Sequence, residues 1–218
     1  MMMINSLIVA LVFGSAAYLV LELAKSMCEK IVPYADGPKL GNPPVAVLIG
    51  AMACVGFGLA NRGASIPVLG FELPLCAALV ACWYCDVKVG ILPDVFTLWP
   101  LGFYVLLAVF SNVAPWNNAS HYSTVISTVV AILVVALPFA VLAKITKGRG
   151  MGWGDVKLAA LGGAILGMMP AVAAFATASF VAVVVALIRG KKTELIAFGP
   201  YLVGGIGFFM IFGLGMNP

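Results

Sequence analysis

The chain has 218 residues, of which 63% are hydrophobic and 9% are charged, and its mean hydropathy is +1.14. Soluble domains carry about 25% charged residues, so this composition excludes a soluble globular protein and indicates a membrane protein. The net charge of +4 is spread over the chain without a basic stripe interleaved with aromatic residues. It therefore gives no indication of nucleic-acid binding and suits anionic lipid headgroups instead.

Eight apolar segments follow one another along the chain. A helix needs about 20 residues to cross the hydrocarbon core of a bilayer, and most of the segments approach that length, although the sixth is short. We therefore expect an all-α membrane protein, a polytopic bundle of about eight transmembrane helices that forms a single domain over residues 1–218. The predicted spans are 4–24, 44–60, 67–85, 95–112, 122–143, 155–169, 171–188 and 197–214.

The basic residues support this count and set the orientation. If the N-terminus and the C-terminus both lie outside, all of the 12 Lys and Arg residues except Arg62 fall in inner loops, as the positive-inside rule requires. Fusing residues 155–188 into one span would place the basic cluster at 189–192 outside. We therefore expect a turn at Pro170 between two short helices, and a polar inner loop at 25–43.

The five cysteines do not form a recognisable metal motif. Cys82 and Cys85 have the CxxC spacing found in some metal and redox sites, but a structural zinc site needs four ligands, and no second pair or nearby histidine completes one. We expect no metal and no cofactor. The cysteines are interpreted as packing residues of the membrane core, apart from Cys28 in the basic inner loop.

The acidic residues are few, so the position of each is informative. Glu22 and Glu72 lie near span ends, where a carboxylate can reach the membrane interface. Asp86, Asp94 and Asp155 fall at the cytoplasmic edge in the topology above. Ionisable groups at membrane depth are costly and indicate function by default.

Two of these three aspartates have a structural alternative. Asp94 and Asp155 could each cap the helix that follows, whereas Asp86 lies in the last turn of the third span, where the helix dipole disfavours a negative charge. Two carboxylates brought together can divide the work of hydrolysis, since one activates water as a general base and the other polarises a carbonyl as a general acid. The helix ends favour an ionised Asp155 and a protonated Asp86.

Two segments, DVKVGILPDVFTLWPLGF at 86–103 and GMGWGDVKLAALGGAILG at 150–167, surround these aspartates. In the first, Asp86 precedes a Leu-Pro-Asp step; in the second, Asp155 completes a Gly-x-Gly-Asp motif that Val-Lys-Leu follows. Together they resemble the two signature regions of the type IV prepilin peptidases, the GxGD-type aspartic proteases of the bacterial inner membrane. A weaker third match is AFGPYLVGG at 197–205, in which alanine stands in place of the family's usual first proline.

The resemblance implies a function and a set of site residues. Asp86 and Asp155 would be the catalytic pair, and Gly152 and Gly154 would let the substrate backbone come close. The implied substrate is a prepilin or pseudopilin, cut at the cytoplasmic face between a short basic leader and its hydrophobic helix.

Three further charged residues are candidates for supporting roles. Lys157 belongs to the second motif and could act on Asp155 or hold an acidic group of the substrate; an interfacial snorkelling lysine is the alternative. Lys88 is similar but less specific. Asp94 could attract the basic leader, because opposite charges steer and orient a partner. The sequence sets no oligomeric state.

One departure from the resemblance concerns methylation. Larger prepilin peptidases carry an inner domain with two CxxC pairs between spans 1 and 2, which is associated with methylation of the new N-terminus. Here the corresponding stretch is 25–43, with Cys28 as its only cysteine. We therefore expect a short form that cleaves without N-methylation.

Other functions compete with this interpretation. A transporter or proton carrier also places aspartates in spans, but typically near the bilayer midplane at a repeat interface, and no internal repeat is evident. A non-catalytic scaffold of a pilus or secretion machine could keep the fold, although an intact Asp86 and Asp155 favour an enzyme. Proteases of the presenilin kind have Tyr before the first aspartate, whereas Cys85 precedes it here.

Overall fold

The computed structural model describes residues 2–31, 44–61, 63–64, 66–110, 121–147, 151–189 and 197–212. Over these ranges the chain forms eight α-helices and no β-strand. The helices are α1 (Met2–Ile31), α2 (Val45–Asn61), α3 (Ile66–Val89), α4 (Asp94–Phe110), α5 (His121–Ile145), α6 (Trp153–Leu166), α7 (Met168–Arg189) and α8 (Gly199–Phe212).

The predicted all-helical membrane architecture is confirmed at this level. Each predicted apolar segment coincides with one helix of the structure. Helices α1, α3, α5 and α7 are long and apolar enough to cross a membrane. Helices α2, α4 and α8 are also apolar but shorter. Eight crossings and outer termini stay predictions, because length and composition alone do not orient a chain, and Arg62 lies outside the described residues.

Large apolar side chains cover the outside of the bundle. Leu11 of α1, Ile126 of α5 and Phe180 of α7 are 74%, 62% and 70% exposed. Soluble monomers rarely expose contiguous apolar surface on this scale, whereas a lipid-facing surface requires it. Three carboxylates, those of Glu72, Asp86 and Asp155, are instead buried inside the described part of the bundle.

Helix α6 occupies the centre of the bundle. It contacts α4, α5, α7 and α8, and every residue from Leu158 to Leu166 is buried. Small residues permit this packing: a Cβ added at Gly163 would lie 2.9 Å from the carbonyl oxygen of Ala131 in α5. The central position of α6 carries its first turn, with Asp155, into the interior of the bundle.

The first helix is longer than predicted. It continues to Ile31, so the first part of the expected loop at 25–43 is helical. Cys28 is therefore a buried helix residue rather than a loop residue. The placement of Cys28 in a loop was wrong because the lysines near it are compatible with the exposed face of a helix end as well as with a loop.

The break between α6 and α7 lies at Gly167 rather than at Pro170. Gly167 adopts a φ of +76°, a conformation that favours glycine, and its N–H donates to the Gly163 carbonyl oxygen at 3.0 Å. Pro170 falls in the first turn of α7, where a missing N–H breaks no helical hydrogen bond. The expected turn therefore exists, three residues earlier than predicted.

Candidate active site

The first aspartate is placed by the end of α3. The helix stops at Val89, and Gly90 follows with a φ of +69°, donating its N–H to the carbonyl oxygen of Asp86 at 2.9 Å. This glycine lets the chain turn away immediately. Residues 91–93 then lead into α4, so Asp86 lies in the last helical turn, as the sequence predicts.

The carboxylate of Asp86 is held by the start of another helix. Asp86 is 7% exposed, and the backbone N–H of Gly199, the first residue of α8, donates to its Oδ2 at 2.9 Å. The N–H groups of a first helical turn have no partner within the helix and lie at the positive end of its dipole. A Cβ at Gly199 would come within 2.8 Å of the same oxygen, so only glycine allows this approach.

Gly199 is a site residue that the sequence reasoning missed. It belongs to the Phe-Gly-Pro step of the third segment, 197–205, which we interpreted only as a weaker match. That step was the signal that could have identified it. The contact also corrects the argument from helix ends, because Asp86 lies at the start of α8 as well as at the end of α3. Helix ends alone therefore do not assign different protonation states to the two aspartates.

The second aspartate lies in the first turn of α6. Its Oδ2 accepts a hydrogen bond from the N–H of Gly152 at 3.1 Å, and the residue is 8% exposed. Asp155 does not occupy the N-cap position considered from the sequence; Gly152 does, and Asp155 reaches back to it from the third helical position. Asp155 thus bonds to the helix start while remaining inside the bundle.

The structure brings the two aspartates into one site. Asp86 lies close enough to Asp155 for their negative charges to repel each other. The helices that carry them are joined by α4 and α8, both of which pack on α3 and on α6. Two buried carboxylates that repel each other in this way do not ionise independently.

The two motifs also contact each other through their other residues. A Cβ at Gly154 would lie 2.8 Å from the Cβ of Leu92, and Lys157 Nζ forms an ion pair with Asp94 Oδ1. The space at Gly154 is therefore occupied by Leu92, and a close approach of substrate at this glycine stays a prediction. Lys157 pairs with Asp94 rather than with Asp155, since the first turns of α4 and α6 lie side by side.

Comparison with known proteins identifies the family. Residues 73–187 match the type IV leader peptidase family, a stretch of more than half the chain that includes both aspartates. The chain belongs to the type IV leader peptidase family. The resemblance inferred from its two motifs is thereby confirmed.

Two curated relatives share the same region. They are the proteins named "Prepilin leader peptidase/N-methyltransferase" of Burkholderia pseudomallei strains 1026b and K96243, each 33% identical over 178 residues. The alignment covers 78% of this chain and 54% of each relative, so the chain spans about half the length of the curated relatives it matches. No solved structure matches the chain.

Cysteines of this family member pack directly behind Asp86. Cys28 Sγ lies 3.3 Å from Cys85 Sγ, and Cys82 Sγ lies 3.3 Å from the carbonyl oxygen of Phe96. The core packing predicted for Cys76, Cys82 and Cys85 is confirmed, whereas the same prediction for Cys54 is wrong, because Cys54 lies on an exposed face of α2. Lys88 is half-buried in the last turn of α3 and acts electrostatically on Cys28. In the part of the chain that the structure describes, no three side chains form a group suited to a metal ion.

Glu72 departs most from its predicted environment. It is 0% exposed, and neither carboxylate oxygen has a hydrogen-bond partner among the described residues. The prediction that it reaches the membrane interface is wrong, because α3 begins at Ile66 and Glu72 lies about 9 Å further along the helix. Helix packing encloses it at that depth.

Replacing Glu72 with methionine is expected to stabilise the protein. An unpartnered buried polar group costs about 1–3 kcal/mol, and an apolar group of similar shape removes that cost. The thermal unfolding midpoint of Glu72→Met in detergent should therefore exceed that of the wild type. Glu22→Met, at an exposed position of α1, is the control and should change the midpoint little. A lower midpoint for Glu72→Met would indicate that the carboxyl has a stabilising partner.

Proposed function

We propose that this protein is an aspartic endopeptidase that removes the short basic leader from a type IV prepilin or pseudopilin. One observation carries the proposal: two buried, interacting carboxylates come from the two motifs of a leader peptidase family. The prepilin peptidase names of the two relatives support the choice of substrate. No comparable observation in this region of the chain supports the alternative of a transporter.

The proposed chemistry divides the work between the two aspartates. With one proton shared between Asp86 and Asp155, the ionised carboxylate takes a proton from water as the water oxygen attacks the scissile carbonyl carbon. The protonated carboxyl gives its proton to the carbonyl oxygen, which forms a tetrahedral diol. The diol then collapses: one diol hydroxyl returns its proton to the carboxylate that gave one, the C–N bond breaks, and the leaving amine accepts the proton that the other aspartate took from water. One proton is then again held between the two aspartates. The N–H groups of Gly152 and Gly199 hold the carboxylates in place during these transfers.

We further propose that the site faces the cytoplasm from the bacterial inner membrane. The positive-inside distribution supports eight crossings with both termini outside. Asp86 and Asp155 lie within one turn of helix ends, which supports a position near a membrane edge. Asp94, whose side chain is 59% exposed, is paired with Lys157, so a basic leader would compete with that lysine for its carboxylate. Gly152, which is exposed, leaves room for an extended substrate beside Asp155.

Replacing either aspartate with asparagine is expected to abolish cleavage. Asparagine keeps the shape but can neither accept the proton from water nor donate one as an acid, so the rate should fall by about a thousandfold or more. The measurement is co-expression of Asp86→Asn or Asp155→Asn with prepilins from the same genome, followed by gel shift and N-terminal sequencing. Glu22→Gln is the matched control and should cleave like the wild type.

This experiment separates loss of chemistry from loss of folding. Each variant must be present in the membrane fraction at the wild-type level and give the same detergent unfolding midpoint within a few degrees. Cleavage by either Asn variant at the wild-type rate would contradict the dyad. If the wild type cleaves no prepilin, the peptidase proposal itself fails.

Gly199→Ala is expected to lower kcat with less effect on KM. Its Cβ would approach Asp86 Oδ2 to 2.8 Å and displace the carboxylate, and small misplacements of a catalytic group reduce rates by up to about a hundredfold. Gly102→Ala is the control, since a Cβ at that position of α4 meets nothing within 4 Å. Equal kcat values for wild type and Gly199→Ala would show that this contact does not position Asp86.

The product is expected to keep an unmethylated N-terminus. Residues 32–44 connect α1 with α2; this segment is too short for a methyl-donor domain and contains no cysteine. Mass spectrometry of the cleaved pilin, made in a host without another prepilin methylase, tests this. A product heavier by one methyl group would contradict the proposal, whereas an enzyme with an added methylase serves as the positive control.

A further inference from the structure

The two helices that carry the aspartates are held together indirectly. Within the described residues, α3 and α6 do not pack extensively on each other, whereas α4 and α8 each pack on both. The distance between Asp86 and Asp155 therefore depends on α4 and α8. On the α8 side, a Cβ at Gly162 would lie 2.9 Å from Cδ1 of Ile206. That contact lies about 10 Å further along α6 than Asp155, so it holds a deeper part of α6 than the turn that carries the aspartate.

The start of α4 is joined closely to Asp86. Gly90 ends α3 by donating its N–H to the carbonyl oxygen of Asp86 at 2.9 Å, and only residues 91–93 separate it from Asp94, the first residue of α4. The middle residue of this link, Leu92, is buried. So short and packed a link limits how far the start of α4 can move from the end of α3.

Two contacts then join the start of α4 to the first turns of α6, one on each side of Asp155 in the sequence. Gly154, directly before the aspartate, has no room for a Cβ because Leu92 packs against it. Lys157, two residues after the aspartate, is half-buried and forms the ion pair with Asp94. The carboxylate of Asp94 is favoured where it lies, since the start of α4 is the positive end of the helix dipole.

We propose that the ion pair of Lys157 and Asp94 positions the two catalytic aspartates. Together with the apolar contact at Gly154, it holds the first turn of α6 at a fixed distance from the end of α3. The proposal rests on the proposed peptidase function and deepens it, because it makes Lys157 and Asp94 positioning residues rather than ligands of the substrate. Two carboxylates that must act on one water and one carbonyl depend on such spacing, since small misplacements of a catalytic group reduce rates.

A double-mutant cycle tests the ion pair. Lys157→Met and Asp94→Asn should each lower kcat for a prepilin by about fivefold with little change in KM, because an exposed ion pair couples weakly. The double variant should be no slower than either single variant, since both changes remove the same pair. Lys144→Met, which removes an exposed lysine from the last turn of α5, is the control and should cleave like the wild type.

Binding of the leader at Asp94 would give a different pattern. Asp94→Asn would then raise KM, whereas Lys157→Met would lower it, because loss of the lysine frees the carboxylate for the basic leader. Opposite changes in KM would therefore overturn the positioning role. Unchanged kcat values in the single variants, or losses that multiply in the double variant, would overturn it as well.

A distance measurement tests the proposal without cleavage. Spin labels are attached at Ile91→Cys and Trp153→Cys, two exposed positions that directly precede the residues of the apolar contact, after Cys54→Ser has removed the exposed native cysteine. Adding Lys157→Met should weaken the dipolar broadening between the labels, because α6 is no longer held at α4. An unchanged spectrum would overturn the positioning role. A wild type that cuts no prepilin would instead refute the peptidase function, and the spectra would still decide whether the ion pair holds the two helices.

Discussion

Two hydrogen bonds from backbone N–H groups at helix starts support the whole site. One runs from the start of α8 to Asp86 and the other from the start of α6 to Asp155. A carboxylate in a membrane bundle needs such donors, because burial without them is costly. Glu72 shows the contrast, since it is buried on the same helix as Asp86 without a hydrogen-bond partner in the described residues. Of the three buried carboxylates in the described residues, the two motif aspartates accept such bonds and Glu72 does not.

This requirement also explains why the site lies at the ends of helices. Within a bilayer, backbone polar groups must be satisfied inside helices, so free N–H groups occur only near helix starts. A pair of carboxylates that depends on such groups must then lie where several helices begin or end. The end of α3 and the starts of α4, α6 and α8 meet around Asp86 and Asp155, with the ion pair of Asp94 and Lys157 at the exposed edge.

Glycines make this convergence sterically possible. Gly199 lets the start of α8 reach Asp86, Gly154 lets α6 approach Leu92, and Gly163 brings α6 against the backbone of α5. Each of these contacts is shorter than a side chain would permit. The same residue type has a different role at Gly204 and Gly207, where the space beside the helix stays open. Glycine content alone therefore does not distinguish a packed interface from an open helix surface.

The sequence by itself determined the class of protein, the number and approximate position of its helices, and the two aspartate motifs. These follow from local properties, namely apolar length, basic residues at segment ends and fixed motif spacing. Tertiary structure decided which groups meet. Only packing reveals that Gly199 bonds to Asp86, that Lys157 pairs with Asp94, and that Glu72 is enclosed rather than interfacial. Such contacts join residues 63 to 113 positions apart, and the distances between them depend on how whole helices pack, which no local pattern encodes.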